Sequence, residues 1–376
     1  MIAAPLPIQR PADAKLLVVD GRGRVTHRSR SRFVDLLRCG DLVVANDAAT
    51  LPASLRGEHL RSGQPVEVRI AGRDSLAAES IRSCIAVVFG RGDFRVRTEE
   101  RPTPPKMDGG DMLTLGPLRA TVAAILGHPR LVRLTFDGSV DEIWEGIARH
   151  GRPIQYSYVT LPLALWDVWT PIAGPPVAFE PPSAGFALDW STLASFNRRG
   201  VQFATITHAA GISSTGDAEL DARLPFDEPY YIPPATARAV KCARVRGGRI
   251  VSIGTTVVRA LEHAAQPDGM VRAGAGLATQ RIGRATRLRI VEAMFSGTHE
   301  PGTSHYELLR AFVVAGVLHR MDEELAAGDY RTHEFGDSVF VEAMEMRHRP
   351  VRAAVSSSLE RGCARILRKD GRCRRR

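Results

Sequence analysis

The stretch RIVSIGTTVVRALE, residues 249–262, contains the pattern that decides the fold of this chain. Its first five residues, Arg249–Ile253, are rich in Ile and Val and predict a buried strand. Gly254 then permits a tight turn, and Thr255–Glu262 has the apolar spacing of a helix. A strand that passes through a glycine turn directly into a helix is typical of an α/β domain.

Two further apolar runs predict strands that end in polar residues. Leu42–Ala45 delivers Asn46 and Asp47, and Val201–Thr207 delivers His208. The carboxyl ends of parallel strands form the ligand-binding edge of an α/β sheet. The sequence therefore predicts that these side chains lie at the same edge as Gly254.

The candidate residues at this edge each have two interpretations. Asp47 could bind ribose hydroxyls or act as a general base, or it could simply form an Asx-turn. His208 could be an acid–base group or a hydrogen-bonded structural histidine. The free N–H groups of Thr255 and Thr256 favour an anion, and Arg259 one turn later could add a charged contact.

Residues 57–138 have a different sequence pattern, in which short apolar runs are separated by turns that contain glycine. This pattern is typical of a small antiparallel sandwich or barrel inserted into the larger domain. The predicted strands are Val66–Ile70, Ile85–Phe89, Phe94–Arg97, Met112–Leu115, Leu118–Ile125 and Leu131–Phe136.

Helical patterns return after the inserted region. Ser139–Glu142 matches a capping box and predicts a helix that ends near Gly151. Pro171–Pro182 contains five prolines and predicts a loop or a linker over a cleft. A second capping-box match at Ser304 predicts one long helix, whose apolar stripe continues to Gly328.

The composition is that of a globular protein with a basic end. The chain has 376 residues and a formal net charge of +10. Residues 347–376 contain eleven Lys or Arg residues against two acidic ones, so most of the net charge is in this tail. Such a tail could neutralise nucleic-acid phosphates, or it could be a solvated end without a specific partner.

Several classes of protein are disfavoured by what the sequence lacks. No apolar run reaches the roughly 18 residues of a membrane helix, and no secretory signal opens the chain, so we expect a cytoplasmic protein without a membrane partner. The cysteines form no C-x-x-C pair, so no metal site is predicted. The motifs of serine hydrolases, zinc proteases and Rossmann dehydrogenases are also missing.

Four colinear segments carry a resemblance to a known family, the S-adenosylmethionine:tRNA ribosyltransferase-isomerases of queuosine biosynthesis. The family pattern G-D-L-x-V-x-N-D-T-R-V-I-P-A-R-L-x-G is similar to Gly40–Gly57, and A-V-G-T-T-S-V-R-x-L-E is similar to Ser252–Glu262. The segment H-L-P-x-S-T resembles His299–Ser304, and Y-R-F-F-S-Y-G-D-A resembles Tyr330–Ser338. Together these matches span about residues 10–341.

The resemblance implies a fold and a reaction. The implied fold is a larger α/β (α+β) domain interrupted by a small antiparallel β-barrel. The implied enzyme moves the ribosyl group of S-adenosylmethionine onto 7-aminomethyl-7-deazaguanine in tRNA, which forms epoxyqueuosine and releases adenine and methionine. S-adenosylmethionine is then the ribosyl donor, tRNA is the second substrate, and no metal is needed.

This chain departs from the family at polar positions. Two motif arginines are replaced by Ala49 and Ser54, and the histidine of P-T-A-G-L-H-F is missing from Pro182–Leu188. A glycine-rich segment after His208 is changed, and the pattern H-x-M-H-x-E keeps only Glu228. The alternatives are therefore a non-catalytic nucleotide- or RNA-binding paralogue, or a transferase that uses S-adenosylmethionine on another substrate.

The resemblance and the strand-end residues together give a predicted site. We expect Asp47 and Glu228 as acid–base groups and His208 as a hydrogen-bonding or proton-transfer group. The predicted substrate-binding residues, which would hold an anionic part of the substrate or carry surviving motifs, are Asn46, Gly254, Thr255, Thr256, Arg259, His299 and Asp337. The predicted domains are residues 1–57 with 139–345, the barrel 58–138 and the basic tail 346–376, and a monomer is favoured.

Overall fold

The computed structural model describes residues 1–344, so the predicted tail 346–376 lies outside the described residues. The strands are β1 Ile2–Ala3, β2 Lys15–Val19, β3 Val25–Ser29, β4 Leu42–Asn46, β5 Ala49–Thr50, β6 Ser54–His59, β7 Gln64–Gly72, β8 Ser83–Phe89, β9 Met112–Leu115, β10 Leu118–His128, β11 Leu131–Phe136, β12 Pro176–Ala178, β13 Gln202–His208, β14 Glu228–Ile232, β15 Ile250–Ile253, β16 Gly274–Ala278, β17 Ala293–Gly297, β18 Arg331–Thr332 and β19 Ser338–Glu342. The helices are α1 Val140–His150, α2 Leu165–Val168, α3 Trp190–Arg198, α4 Ala218–Asp221, α5 Pro234–Val245, α6 Thr255–His263, α7 Ser304–Leu309 and α8 Ala315–Ala327.

A nine-stranded mixed sheet forms the centre of the larger unit. Its strand order is β16-β14-β13-β4-β15-β17-β19-β2-β3. The neighbours β13, β4, β15 and β17 run parallel to one another. All five residues of β4 are buried, which agrees with its continuous apolar sequence. The parallel arrangement places the carboxyl ends of these four strands at one edge.

Both faces of this sheet are covered. Helices α5, α6 and α8 contribute Val240, Val257 and Leu318 to one apolar core. The opposite face is packed with aromatic side chains, among them Phe33 and Phe295, whose ring centroids are 4.6 Å apart. Because the central strands β4 and β15 are buried throughout, a ligand site is expected at the edge of the sheet.

A closed antiparallel barrel interrupts the larger unit. It contains β6 to β11 in the order β10-β11-β8-β7-β6-β9. The prediction of an α/β domain with an inserted antiparallel β-barrel is therefore confirmed. The predicted domain boundary at residues 57 and 58 falls inside β6, and the division into domains stays a prediction.

Two predicted elements are wrong in detail. Phe94–Arg97 is not a strand, because Asp93 accepts hydrogen bonds from the N–H groups of Arg95 and Val96 and turns the chain. The predicted long helix after Ser304 is two helices, α7 and α8, with Phe312 buried in the break. Both helices pack on one core, so one apolar stripe fits either arrangement.

Within residues 1–344, no helix combines the length and the apolar character that crossing a bilayer requires.

Candidate active site

The parallel strands bring several predicted polar residues to one edge of the sheet. Asn46 ends β4, His208 ends β13, Gly254 follows β15, and His299 lies just beyond β17. This edge opens into two adjoining cavities of about 510 Å³ and about 80 Å³. The carboxyl edge of an open α/β sheet is where such folds bind ligands.

The smaller cavity lies at the start of α6. Gly254 has a φ of 91°, a backbone conformation that L side chains rarely adopt, and it turns the chain from β15 into the helix. The first helical residues, Thr255 and Thr256, line this cavity together with Glu228 and Arg259. A helix start favours negative charge, so this part of the cleft suits an anionic group.

Asn46 joins neighbouring strands. Its buried amide Nδ2 donates to the carbonyl of His208 at 2.9 Å. Its Oδ1 accepts from the N–H groups of His208, at 2.9 Å, and of Ala48, at 3.1 Å. Asn46 therefore holds the ends of β4 and β13 together, and it does not line either cavity.

Asp47 is also held by the protein itself. Its Oδ1 accepts from the hydroxyl of Thr207 at 2.7 Å. Its backbone carbonyl accepts from the N–H of Gly174 in the proline-rich segment at 2.7 Å. Asp47 is half-buried and is not among the residues that line the two cavities.

Glu228 and Arg259 form a buried ion pair at the base of the smaller cavity. Glu228 Oε2 accepts from Arg259 Nη1, and Glu228 Oε1 accepts from the N–H of Gly211 at 2.6 Å. Arg259 Nη2 also donates to the carbonyl of Ala278 at 2.9 Å. Burial raises the pKa of Glu228, and the Arg259 charge opposes that rise. Most of the charge on Arg259 is therefore balanced inside the protein.

His208 lies behind this ion pair. Its ring is fully buried, and Nε2 is 3.5 Å from Glu228 Oε2. Neither ring nitrogen has a hydrogen-bond partner among the described residues. Burial and the Arg259 charge hold the pKa of His208 well below its ordinary value. His208 is therefore neutral at pH 7 and supports Glu228 from the side of the sheet.

Aromatic rings line the larger cavity. The rings of Tyr156 and Tyr158 are nearly parallel, with centroids 5.9 Å apart, and His333 continues the stack at 4.2 Å from Tyr158. The rest of the lining comes from the barrel loop and several segments of the larger unit, at residues 97–99, 157, 180, 181, 183, 213, 214, 221, 224, 299, 300, 302–305 and 334. A cavity with aromatic walls suits a planar base.

Two of the carboxyl groups that line this cavity accept a hydrogen bond from a tyrosine. Tyr156 donates to Glu180, and Tyr158 donates to Glu334. Glu180 is only 7% exposed. Burial, together with the negative charge of Glu334, raises the pKa of Glu180 to about 7. Burial and these carboxyl partners raise the pKa of both tyrosines well above the usual value.

Two histidines lie where the cavities meet. The rings of His299 and His305 stack with centroids 4.5 Å apart and an interplanar angle of 13°. Burial lowers the pKa of His299 well below its ordinary value and lowers that of His305 to about 4. Both imidazoles are therefore neutral near pH 7.

Asp337 is placed away from the cleft. Its carboxylate accepts from the N–H groups of Lys15, at 2.8 Å, and of Arg331, at 2.7 Å. It is 1% exposed and lines neither cavity. Its contacts join β2 to the segment that carries His333 and Glu334.

The structure thus brings six of the ten predicted site residues to the cavity walls: Gly254, Thr255, Thr256, Arg259, Glu228 and His299. Asn46, Asp47, His208 and Asp337 lie around them. Tyr156, Tyr158 and Glu180 were not predicted as site residues, because they lie outside the four segments that resemble the family. His305, His333 and Glu334 lie inside or next to the resembling segments, so those segments contained a signal for them.

No group of three or more His, Cys, Asp or Glu side chains in residues 1–344 is arranged to hold a metal ion.

Comparisons with known proteins agree on one family. A sequence model described as "Queuosine biosynthesis protein" matches residues 1–341. A protein of Gloeobacter violaceus named S-adenosylmethionine:tRNA ribosyltransferase-isomerase is 32% identical over 347 residues, which cover 89% of this chain and 91% of that protein. A protein of the same name from Anaeromyxobacter dehalogenans is also 32% identical, over 90% of this chain and 95% of its own.

A solved structure is similar as well. The S-adenosylmethionine tRNA ribosyltransferase of Thermotoga maritima has 22% sequence identity and a TM-score of 0.48, covering 90% of this chain and 96% of its own. The family match and the two 32% identical relatives extend over nearly the whole described chain. This chain therefore belongs to the queuosine biosynthesis protein family.

Proposed function

We propose that this protein is a transferase that moves and isomerises the ribosyl group of S-adenosylmethionine onto 7-aminomethyl-7-deazaguanine in tRNA. The products are epoxyqueuosine in tRNA, adenine and methionine. The observation that carries this proposal is the family match over residues 1–341, which includes every segment that lines the cleft.

The smaller cavity is the proposed place for an anionic part of the substrate. The N–H groups at the start of α6, at Thr255 and Thr256, have no earlier turn to pair with and favour a carboxylate or a phosphate. The methionine carboxylate and a tRNA phosphate both fit this chemistry. The buried Glu228–Arg259 pair fixes the floor beneath the helix start.

The larger cavity is the proposed place for a planar base. Tyr156, Tyr158 and His333 provide ring faces and edges against which adenine or the deazaguanine can pack. Its volume of about 510 Å³ is within the usual range for small-molecule sites, about 300–1,000 Å³.

The reaction requires proton transfer beside the sulfonium. The positive sulfur makes the adjacent C5′ protons acidic, so a base must remove one, and adenine leaves more easily when it is protonated. Glu228 lines the smaller cavity, and His208 lies behind it with Nε2 3.5 Å from Glu228 Oε2. The sequence predicts acid–base roles for Glu228 and Asp47 and a hydrogen-bonding or proton-transfer role for His208, and each prediction is open to test by substitution.

The deciding experiment incubates the purified protein with S-adenosylmethionine and tRNA that carries the deazaguanine precursor. Formation of epoxyqueuosine with release of adenine and methionine supports the proposal. Salt-sensitive tRNA binding without turnover would instead favour the binding paralogue. Adenine release that needs no tRNA would favour a transferase with a different acceptor.

S-adenosylmethionine is consumed in this proposal as a substrate, and the chemistry needs no metal ion. We propose the cytoplasm, where tRNA is available, as the place of the reaction.

A further inference from the structure

The two cavities meet at a junction of six residues that line both of them. These residues are Glu180, Pro181, Ser183, His299, Ser304 and His305. A substrate with its anionic end at α6 and its base in the larger cavity would have its central atoms at this junction. The atoms between the two ends of S-adenosylmethionine are the sulfonium and the ribose.

Three side chains at the junction can exchange a proton: Glu180, His299 and His305. The two histidines stack face to face, and their lowered pKa values make them weak bases that stay neutral near pH 7. The carboxyl group of Glu180 is the exception. Its pKa of about 7 lets it accept and donate a proton at neutral pH.

The position of the Glu180 carboxyl is fixed from several sides. Its backbone follows β12, where the N–H of Phe179 donates to the carbonyl of Ala210 at 2.8 Å. The phenol oxygen of Tyr156 donates to the carboxyl and accepts from the N–H of Ser214 at 3.2 Å. Within residues 1–344, Glu180 is therefore held in place without a neutralising cation in direct contact.

The groups that influence its protonation come from several elements. Glu334 raises the pKa of Glu180, and hydrogen bonds from Tyr156 and Ser213 lower it. Arg69, whose guanidinium lies 5.4 Å from the centre of the Tyr156 ring, is close enough for Glu180 to raise the pKa of Arg69. The neutral imidazoles His299 and His305 complete the surroundings at the junction.

We propose that Glu180 is the proton-transfer residue of this enzyme, and that Tyr156 positions its carboxyl at the junction of the two cavities. This inference rests on the proposed function. The carboxylate takes a proton from C5′, and the C–H electron pair stays on carbon beside the sulfonium. That pair then forms a C4′=C5′ double bond as the C4′–O4′ bond breaks, and the O4′ electrons form a carbonyl at C1′ as the glycosidic bond breaks. The glycosidic electrons leave with adenine, which takes the proton from the carboxylic acid, so Glu180 returns to its starting state.

The test compares Glu180→Gln, Glu180→Asp and Glu334→Gln with the wild type, using the pH dependence of kcat/KM. We expect Glu180→Gln to lose about 100-fold or more in kcat, while calorimetry shows S-adenosylmethionine binding within a factor of about three of wild type. Glu180→Asp should recover part of the rate, because it keeps a carboxyl group. Glu145→Gln, an exposed change on α1, is the matched control and should leave the rate unchanged.

The pH dependence of kcat/KM distinguishes proton transfer by Glu180 from a purely structural role, because a structural role would not change it. The wild-type rate should fall as the pH drops below about 7, because the carboxylate form is required. Glu334→Gln removes the charge that raises the pKa of Glu180, so this fall should move to lower pH. A profile that stays in place, or a folded Glu180→Gln enzyme with at least half the wild-type rate, overturns the proposal.

A second measurement keeps this inference separate from the proposed function. Deuterium incorporation at C5′ of S-adenosylmethionine in heavy water, read by mass spectrometry, reports the first proton transfer without any tRNA product. If no epoxyqueuosine forms but deuterium enters C5′ only when Glu180 is present, the tRNA reaction fails and the role of Glu180 stands. Deuterium incorporation that survives in Glu180→Gln, or that is missing in the wild type when no epoxyqueuosine forms, contradicts that role.

Discussion

Four carboxyl groups around the cleft differ in the partner that holds each of them. Arg259 holds Glu228, and the hydroxyl of Thr207 holds Asp47. Tyrosine phenols hold Glu180 and Glu334. Burial raises the pKa of both Glu228 and Glu180, but the Arg259 charge opposes that rise at Glu228, whereas the Glu334 charge adds to it at Glu180. The neighbouring charges of these two buried carboxyls are therefore opposite in sign.

The variant Asp47→Asn tests whether Asp47 is an acid–base group, as the sequence predicts, or a structural residue that accepts a hydrogen bond from Thr207. An asparagine at position 47 can still accept the hydroxyl hydrogen bond of Thr207 through its Oδ1. Since Asp47 does not line the cavities, we expect this variant to keep at least about half of the wild-type kcat/KM. A folded Asp47→Asn protein without turnover would restore Asp47 as an acid–base group, and the melting temperature of the variant supplies the folding control.

The buried Glu180 also predicts how stability depends on pH. Its pKa rises from the usual 4.5 to about 7 on folding, so its favourable contribution is present below pH 4.5 and is lost as the pH rises towards 7. The glutamine side chain in Glu180→Gln does not titrate, so this variant does not lose stability at this position as the pH rises. Between pH 4.5 and 7 the variant should gain stability relative to wild type by up to about 1.4 kcal/mol per pH unit. Urea unfolding at several pH values measures this difference, and a constant difference would contradict the prediction.

Single residues were predictable from the sequence where they end an apolar run. Asn46, His208 and Gly254 could be placed at one edge because buried strands are recognisable and parallel strands end together. Glu180 and Tyr156 could not, because they lie in irregular segments whose positions depend on contacts with distant residues such as Ala210 and Ser214.

At the scale of elements, apolar patterning predicted the parallel strands well and the first barrel strand poorly. β4 is apolar over four of its five residues and buried throughout, so its sequence is unambiguous. β6 reads Ser-Leu-Arg-Gly-Glu-His and has one apolar side chain, Leu55. Its pairing with β7 and β9 holds it in the barrel. Such a strand depends on its neighbours, and no local pattern reveals it.

The turn from β15 into α6 yields a prediction at the same scale. Gly254→Ala adds a Cβ that meets only ordinary contacts, the nearest being 3.4 Å from the Cβ of Ala184. The φ of 91° is nevertheless strained for alanine, so we expect a loss of about 1–3 kcal/mol in the free energy of unfolding. The displaced helix start should also weaken S-adenosylmethionine binding, as measured by calorimetry.

The same substitution at Gly316 is the matched control. Gly316 lies in α8 with an open space around its Cβ position and no unusual φ. Gly316→Ala should therefore be neutral or stabilising by up to about 1 kcal/mol. Equal effects of the two changes on stability would show that the backbone at Gly254 is not a special requirement of the turn.

At the scale of the whole molecule, the cleft lies between the larger unit and the inserted barrel. Arg97, Thr98 and Glu99 reach the larger cavity from the loop between β8 and β9, while the other walls come from the larger unit. The fold class could be predicted because the spacing of apolar residues in short strands separated by turns differs from their spacing in a strand that is followed by a helix. The position of the barrel loop against the cleft could not, because it depends on packing between segments far apart in sequence.

Basic and acidic residues are concentrated in different parts of the molecule, and this distribution gives a prediction about tRNA binding. Residues 347–376 hold eleven basic residues and lie outside the described residues, whereas the larger cavity has the carboxyls of Glu180 and Glu334 in its wall. Phosphate contacts each contribute about 0.7–0.9 to the slope of log affinity against log salt concentration. We therefore expect deletion of residues 347–376 to weaken tRNA binding and to reduce that slope by several units, measured by fluorescence anisotropy between low and physiological salt.

S-adenosylmethionine binding should stay unchanged, because every residue of the cleft lies within residues 1–344. If the slope is the same with and without the tail, the charges that meet the tRNA backbone belong to the folded part of the protein, and the tail is a solvated end.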